Sequence, residues 1–478
     1  MIGIGQAVTA SLRDWGNWPA FLQINKSRGA SPTSAMEFSE KILETARQLS
    51  AWGIREKYLV PLFLDNSTDF IVIFLSLLHI GAIPVLAKLE YRVLELDEIF
   101  SNARPQAVIA EKEHLKFLTP YLRNTIVITR AENGLFLSQT GEGLRPREDI
   151  PDDIASINYT YRGYGYPLGV MVSHAQYLHG AQVHQELIQG SEGEKMLIIL
   201  PMAHIFTMVG CILVPLLFRM TSVIADSMHP RLLFQYIRDF RIELVTSVPE
   251  IYELLCRLRD PKADLSTLKL FVSGGSILTP DSYANIKKVF SVELLHGYGL
   301  TEFSPVSGNW RHEARPGTVG PLCDKVQCRI DPSAPDGAGE ILIRTPHATG
   351  TYYRRPRETK EAHRDGWFRT GDMGRMDDGH LVFLKELKNT RKVNGNLVDL
   401  QEVNRAIRLD KDIADVQVQW ENNSLFANLA MSRHIDFQEK TKRLRASLKE
   451  MLAEYKIPRR FNALESRAPA PEGRTSNG

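Results

Sequence analysis

The feature that most constrains the fold of this chain is a repeated alternation of short apolar runs with stretches of helical period. Ala35–Gly53 has helical spacing, Tyr58–Leu64 is a short apolar strand, Asp69–Ile80 is helical again and Ile83–Ala87 is a strand. Gln106–Ala110 and Thr125–Thr129 are predicted as further buried strands. The pattern returns with strands at Lys195–Leu200, Thr221–Ala225, Leu244–Ser247 and Leu268–Ser273, and helices at Pro230–Phe240 and Pro249–Leu258 between them. Strands separated by helices pair in parallel, and such sheets are covered on both faces. Glu340–Arg344 and His380–Leu384 predict a third sheet region over 318–384, and after Lys385 the chain becomes a smaller mixed segment. A chain of 478 residues exceeds what one core supports. The expected fold is therefore α/β. A large N-terminal domain, 1–384, has stacked α/β layers with mainly parallel sheets plus a small β-barrel-like region. A small α+β C-terminal domain spans 385–478.

The net charge of +2 gives no pull toward nucleic acid. The cysteines, Cys211, Cys256, Cys323 and Cys328, lack metal-binding spacing and read as thiols in a reducing compartment. The most apolar stretches, Phe70–Ala87 and Met208–Phe218, are short or broken by His79, Gly81, Pro84 or Pro215, which favours buried helices over membrane spans. The start lacks the pattern of a cleavable signal. The expectation is a cytoplasmic monomer or homodimer without nucleic-acid partner or membrane span. The tail Ala468–Gly478, rich in Pro, Gly and Ser, is predicted to be mobile.

Four motifs carry chemistry. Asn158–Val170 has the glycine spacing of a loop that cradles phosphate, with Gly163, Gly165 and Gly169. Ser273–Ser276 follows an apolar strand, where Gly274 and Gly275 let a flat ring approach the backbone. His296–Glu302 places a hydroxyl, Thr301, beside a carboxylate, Glu302, a pair suited to phosphate oxygens and a hard cation. Further on, Trp367–Asp372 ends in a carboxylate able to accept two hydroxyl bonds.

In this order and at these separations the motifs resemble the adenylate-forming superfamily of acyl- and aryl-CoA synthetases, peptide-synthetase adenylation domains and luciferases. The resemblance runs from about 35 to 476. It implies a C-terminal domain that rotates between half-reactions about a hinge near Lys388. It implies that Thr160, Arg162, Gly163, Gly165, Gly274, Gly275, Ser276, Gly297, Tyr298, Gly299, Thr301 and Asp372 bind nucleotide, Asp372 through the ribose hydroxyls, and that Glu302 holds Mg²⁺. His204 falls where the family has a histidine beside the acid substrate, and Met208, Val209 and Gly299, with Gly210, are expected to line the acid pocket. No acidic residue follows in Ile205–Gly210, where amino-acid-activating relatives have an Asp, so an aryl or acyl carboxylic acid is expected. Lys392 and Gly395 keep the pattern of the loop used in thioester formation. The implied cofactors are ATP, Mg²⁺, and CoA or the phosphopantetheine of a carrier protein, so an acyl carrier protein is a candidate partner.

The chain also departs from the family. Tyr161, Arg162, Gly163 and Tyr164 replace Ser-Gly-Thr-Thr in the glycine-rich loop, and Leu168 replaces its lysine. Glu386 stands at the phosphate-facing arginine of the hinge motif, and Arg474 at the C-terminal catalytic lysine. Each donor to a transferring phosphoryl group is worth about 3–4 kcal/mol, or about 10²–10³ in rate. Adenylation would therefore suffer unless Arg162, Arg391 or Arg474 compensates. Three functions stay open: an acid:thiol ligase; an amide-forming synthetase or an enzyme using pre-made acyl-adenylate; and an impaired homologue that binds nucleotide or acyl ligand.

Overall fold

The computed structural model describes residues 3–25, 29–132, 134–227, 229–259, 263–332, 334–387, 390–393, 396–421, 424–431 and 435–464. Lys388, Gly395, Arg474 and the tail 468–478 lie outside them.

Two large sheets carry the N-terminal domain. The first runs in the order Gly134–Gln139, Ile126–Ala131, Ala107–Glu111, Leu59–Phe63, Ile83–Leu86, Ile154–Thr160 and Leu168–Ser173. Its inner strands are parallel and each edge strand is antiparallel. The second runs Ser307–Gly308, Glu293–Tyr298, Leu270–Ser273, Leu244–Ser247, Lys195–Ile198, Thr221–Ile224, Pro19–Ile24 and Ala30–Ser34. The predicted strands and helices of both alternating regions are present, with ends shifted by a residue or two.

Local chemistry explains the elements that frame the site. Helix Thr68–Ile80 is buried along almost its whole length and stops at Gly81, whose φ of 82° is the left-handed conformation glycine adopts without strain. Ser34 caps helix Ala35–Ala51 by accepting from the Glu37 N–H, while the Glu37 carboxylate accepts from the Ser34 N–H. The run Met208–Leu213 is a π-helical segment, a distortion often found at functional sites.

The chain begins with elements that the sequence pattern did not predict. Helix Ile4–Trp15 buries Ile4, Val8 and Leu12. Pro19–Ile24 pairs in parallel with Thr221–Ile224, Phe21 opposite Ser222. The third region is an antiparallel sheet built on Gln327–Pro332, Gly339–Arg344, Trp367–Asp377, His363–Arg364 and His380–Glu386. Its last strand pairs Glu386 with Asp372. After it come the hairpin Thr390–Val393/Asn396–Asp399 and a three-stranded sheet covered by helices Leu400–Arg408 and Phe437–Met451. The cysteines are free thiols. Among the described residues, no helix is long and apolar enough to cross a membrane.

Candidate active site

One cavity of about 390 Å³ lies where the C-terminal ends of the parallel strands meet the C-terminal domain. That edge is where open α/β sheets bind ligands. Both carboxylates singled out in the sequence, Glu302 and Asp372, line it. So do Thr160, His204, Val209, Gly274, Gly275, Gly297, Tyr298, Gly299, Thr301 and Lys392.

The end of the cavity around Gly274, Gly275 and Asp372 is closely packed and hydrogen-bonded. Gly274 ends strand Leu270–Ser273, and a Cβ there would come within 3.1 Å of the Phe206 ring. Gly275 has φ 81°, so the turn requires the freedom of glycine. The Tyr298 hydroxyl donates to Asp372 Oδ2 at 2.7 Å. Burial and the Asp372 charge push the Tyr298 pKa well up, so the phenol stays a donor. Ser276 does not line the cavity; its Oγ is buried without a hydrogen-bond partner among the described residues.

His204 caps the short helix Ile205–Thr207, its Nδ1 accepting from the Phe206 N–H at 3.3 Å. Burial, with Lys88 and Lys392 nearby, lowers its pKa to about 3, so the imidazole is neutral. Met208 packs in the hydrophobic core instead of lining the cavity. Gly210 faces His184.

The glycine-rich loop is the tip of the antiparallel hairpin Ile154–Thr160/Leu168–Ser173, and it is held by other groups. Gly163 and Gly165 have φ of 86° and 81°. The Gly165 N–H, a potential phosphate donor, donates to Asp399 Oδ2 at 2.9 Å. Tyr164 and Tyr166 donate to Glu361 and Glu358. The Tyr161 hydroxyl donates to Glu402 and accepts from Lys456. Leu168 is buried in the core at the position of the family lysine.

Arg162 does not reach the cavity. Its Nη1 lies 3.4 Å from Glu302 Oε1 and donates to the Tyr352 hydroxyl at 2.9 Å; its Nη2 donates to the Arg369 carbonyl at 2.6 Å. The guanidinium sits over the Phe368 ring. Tyr352 donates to the same Glu302 oxygen. A guanidinium and a phenol therefore already meet the carboxylate expected to hold Mg²⁺. In this arrangement Glu302 does not fit a divalent cation, because a second positive charge would lie against Arg162.

Lys88 and Asn396, which belong to none of the sequence motifs, also line the cavity. Lys88 follows strand Ile83–Leu86, and its Nζ donates to Asn396 Oδ1 at 2.8 Å, linking the two domains at the cavity wall. Burial lowers its pKa to about 8. Its place just past the C-terminal end of a parallel strand was the available signal. Lys392 pairs more loosely with Glu386, at 3.6 Å.

Residues 9–353 match the model of the AMP-binding enzyme family. The chain belongs to that family. Among its relatives, this AMP-binding enzyme is 26% identical over 399 residues to 4-coumarate-CoA ligase 1 from Narcissus pseudonarcissus, covering 77% of this chain and 72% of the relative. Triostin synthetase I from Streptomyces triostinicus is 27% identical over 462 residues, covering 92% and 87%. The solved structure of the amide bond synthetase McbA from Marinactinospora thermotolerans superposes with a TM-score of 0.84 at 21% identity, over 98% of this chain and 97% of that one. The fold is that of the adenylate-forming enzymes, as the resemblance implied, and the family and its CoA-ligase relatives support adenylate-forming activity.

Proposed function

We propose that this AMP-binding enzyme activates a small aryl or acyl carboxylic acid as its acyl-adenylate and passes the acyl group to a phosphopantetheine thiol, on CoA or on an acyl carrier protein. The observation that carries this reading is the convergence of Gly274, Gly275, Tyr298, Thr301, Asp372, His204 and Lys392 on one cavity.

In the first half-reaction a carboxylate oxygen of the acid attacks the α-phosphorus of ATP, and pyrophosphate leaves. Asp372, oriented by Tyr298, accepts from the ribose hydroxyls. Thr160 and Thr301 donate to the α-phosphate. Neutral His204 packs beside the reacting carboxylate without adding charge, while Lys88 and Lys392 supply the positive field that holds it. In the second half-reaction the thiol sulfur attacks the acyl carbon, AMP leaves, and the thiol proton passes to solvent. Residues 385–478 act as the small domain, Lys392 lies on its loop for thioester formation, and Arg474 takes the place of the C-terminal lysine. No step is assigned to Mg²⁺ at Glu302. The test is acid-dependent exchange of labelled pyrophosphate into ATP across a panel of aryl and fatty acids, followed by thioester formation with CoA. A folded sample that exchanges with no acid and makes no thioester refutes it.

A second reading has its own observation. With Arg162 against Glu302 and the Gly165 N–H given to Asp399, the triphosphate end is the poorest part of the site. An enzyme entering at the acyl-adenylate, with a thiol or amine as acceptor, would need only the well-formed monophosphate end. Synthetic acyl-AMP plus CoA or an amine would then give product where acid plus ATP does not.

A further inference from the structure

His184 stands on helix His174–Ile188 and lines the cavity with its helix neighbours Leu187 and Ile188. It is only 5% exposed, and its Nε2 is buried without a hydrogen-bond partner among the described residues. Leaving a buried polar atom unpaired costs about 1–3 kcal/mol, so such atoms are ordinarily satisfied. Ser307 Oγ and Asn309 Nδ2 are engaged, donating to the carbonyls of Val319 and of His296 and Thr318; His296 Nδ1 and Ser273 Oγ, also in the cavity lining, are buried without a partner among the described residues as His184 Nε2 is.

A second observation concerns the space kept for the ring. A Cβ on Gly210 would fall 2.9 Å from His184 Nε2 and 3.0 Å from Cε1. Gly210 sits in the π-helical segment, whose Val209 also lines the cavity. The imidazole is thus seated in an apolar wall by a glycine that makes room for it, yet nothing among the described residues pairs with Nε2. Burial lowers its pKa to about 4, so the ring is neutral near pH 7 and offers no charge to an anionic tail.

We propose that the acid this cavity takes carries a hydroxyl on its tail, and that His184 is the residue that reads it. A hydroxyl both donates and accepts, so it satisfies either tautomer of a neutral imidazole. The inference rests on the acid-activating reading above and adds the class of acid.

The test uses the full chain and calorimetry with stable acyl-adenylate mimics in which a sulfamate replaces the phosphate. The probes are benzoyl-sulfamoyl adenosine, its three monohydroxy isomers, and the cinnamoyl and 4-hydroxycinnamoyl pair. At least one hydroxylated compound should bind about tenfold or more tighter than its parent. His184→Leu should abolish that preference while leaving the affinity for AMP unchanged, which reports an intact fold. His184→Gln, which keeps a donor and an acceptor, should retain part of it. Gly210→Ala, which crowds Nε2, should weaken it independently should His184→Leu fail to fold. Equal binding of every hydroxylated compound and its parent, or a preference that survives His184→Leu, overturns the role of His184. If no mimic binds while AMP does, the acid-activating reading fails and this inference falls with it.

Discussion

Lys456 and Glu95 meet across the boundary between the two domains, Nζ 2.7 Å from Oε1, with neither side chain exposed. Glu402 closes the group at 2.6 Å, and the Tyr161 hydroxyl accepts from the same ammonium at 2.8 Å. One lysine of the C-terminal domain thus ties a helix and the glycine-rich loop of the N-terminal domain to its own helix Leu400–Arg408. Removing one partner of a buried pair leaves uncompensated charge and costs about 3–5 kcal/mol. Lys456→Met is expected to lower the urea midpoint of the domain-docking transition accordingly, while a surface control such as Lys442→Met leaves it unchanged.

The same group makes docking depend on pH. Burial, with Glu95 adding to it, raises the Glu402 pKa from the ordinary 4.5 to about 7, against the pull of Lys456. A carboxyl whose pKa is raised on docking binds more protons docked than undocked, so its contribution is greatest at and below pH 4.5 and falls as pH rises toward 7. Urea midpoints across that range should decline more steeply in the wild type than in Glu402→Gln. Equal slopes would remove Glu402 as the cause.

Arg162 and Glu302 set the expected response to metal. AMP affinity, read by calorimetry, should be the same with Mg²⁺ and with EDTA in the wild type, because the guanidinium already neutralises Glu302. Arg162→Met frees that carboxylate, and AMP binding should then strengthen on adding Mg²⁺. A strong Mg²⁺ effect in the wild type would mean that Arg162 leaves Glu302 when nucleotide binds.

Restoring the family lysine should not restore phosphate handling. Leu168 is fully buried on strand Leu168–Ser173. Leu168→Lys would bury an ammonium there and destabilise by several kcal/mol, read as a lowered thermal midpoint with no gain in pyrophosphate exchange. A gain in exchange at unchanged stability would show that the side chain can turn toward the cavity.

His204 is expected to act uncharged. With its pKa near 3, it contributes no limb to a pH–rate profile above about pH 5. His204→Gln should lower the rate of acyl-adenylate formation and leave the shape of the profile as it was. A wild-type limb near pH 6.5 that disappears in this variant would show that the histidine titrates in the working enzyme.

Much of the fold was legible because its signals are local. The alternation of apolar runs with helical period registers which backbone conformation each segment adopts, and the strand–turn at Gly274 and Gly275 registers its own φ. The pairing of Pro19–Ile24 with Thr221–Ile224 was not legible, because the strand is recruited by a partner about 200 residues away. His184 escaped notice for a similar reason: on a helix it is one polar residue among several, and only the cavity and Gly210 set it apart.

By itself the chain's order of residues determined the stacked α/β layers, the strand ends that line the cavity and the carboxylates Glu302 and Asp372. Only the tertiary structure decided what those groups meet. Arg162 looked like a spare phosphate donor, yet it ends against Glu302, 140 residues on, and Lys456 ends against Glu95, 361 residues back. Residue type and spacing govern local geometry, whereas the partner of a buried charge is whichever group the folded chain brings within a few ångströms when water is excluded.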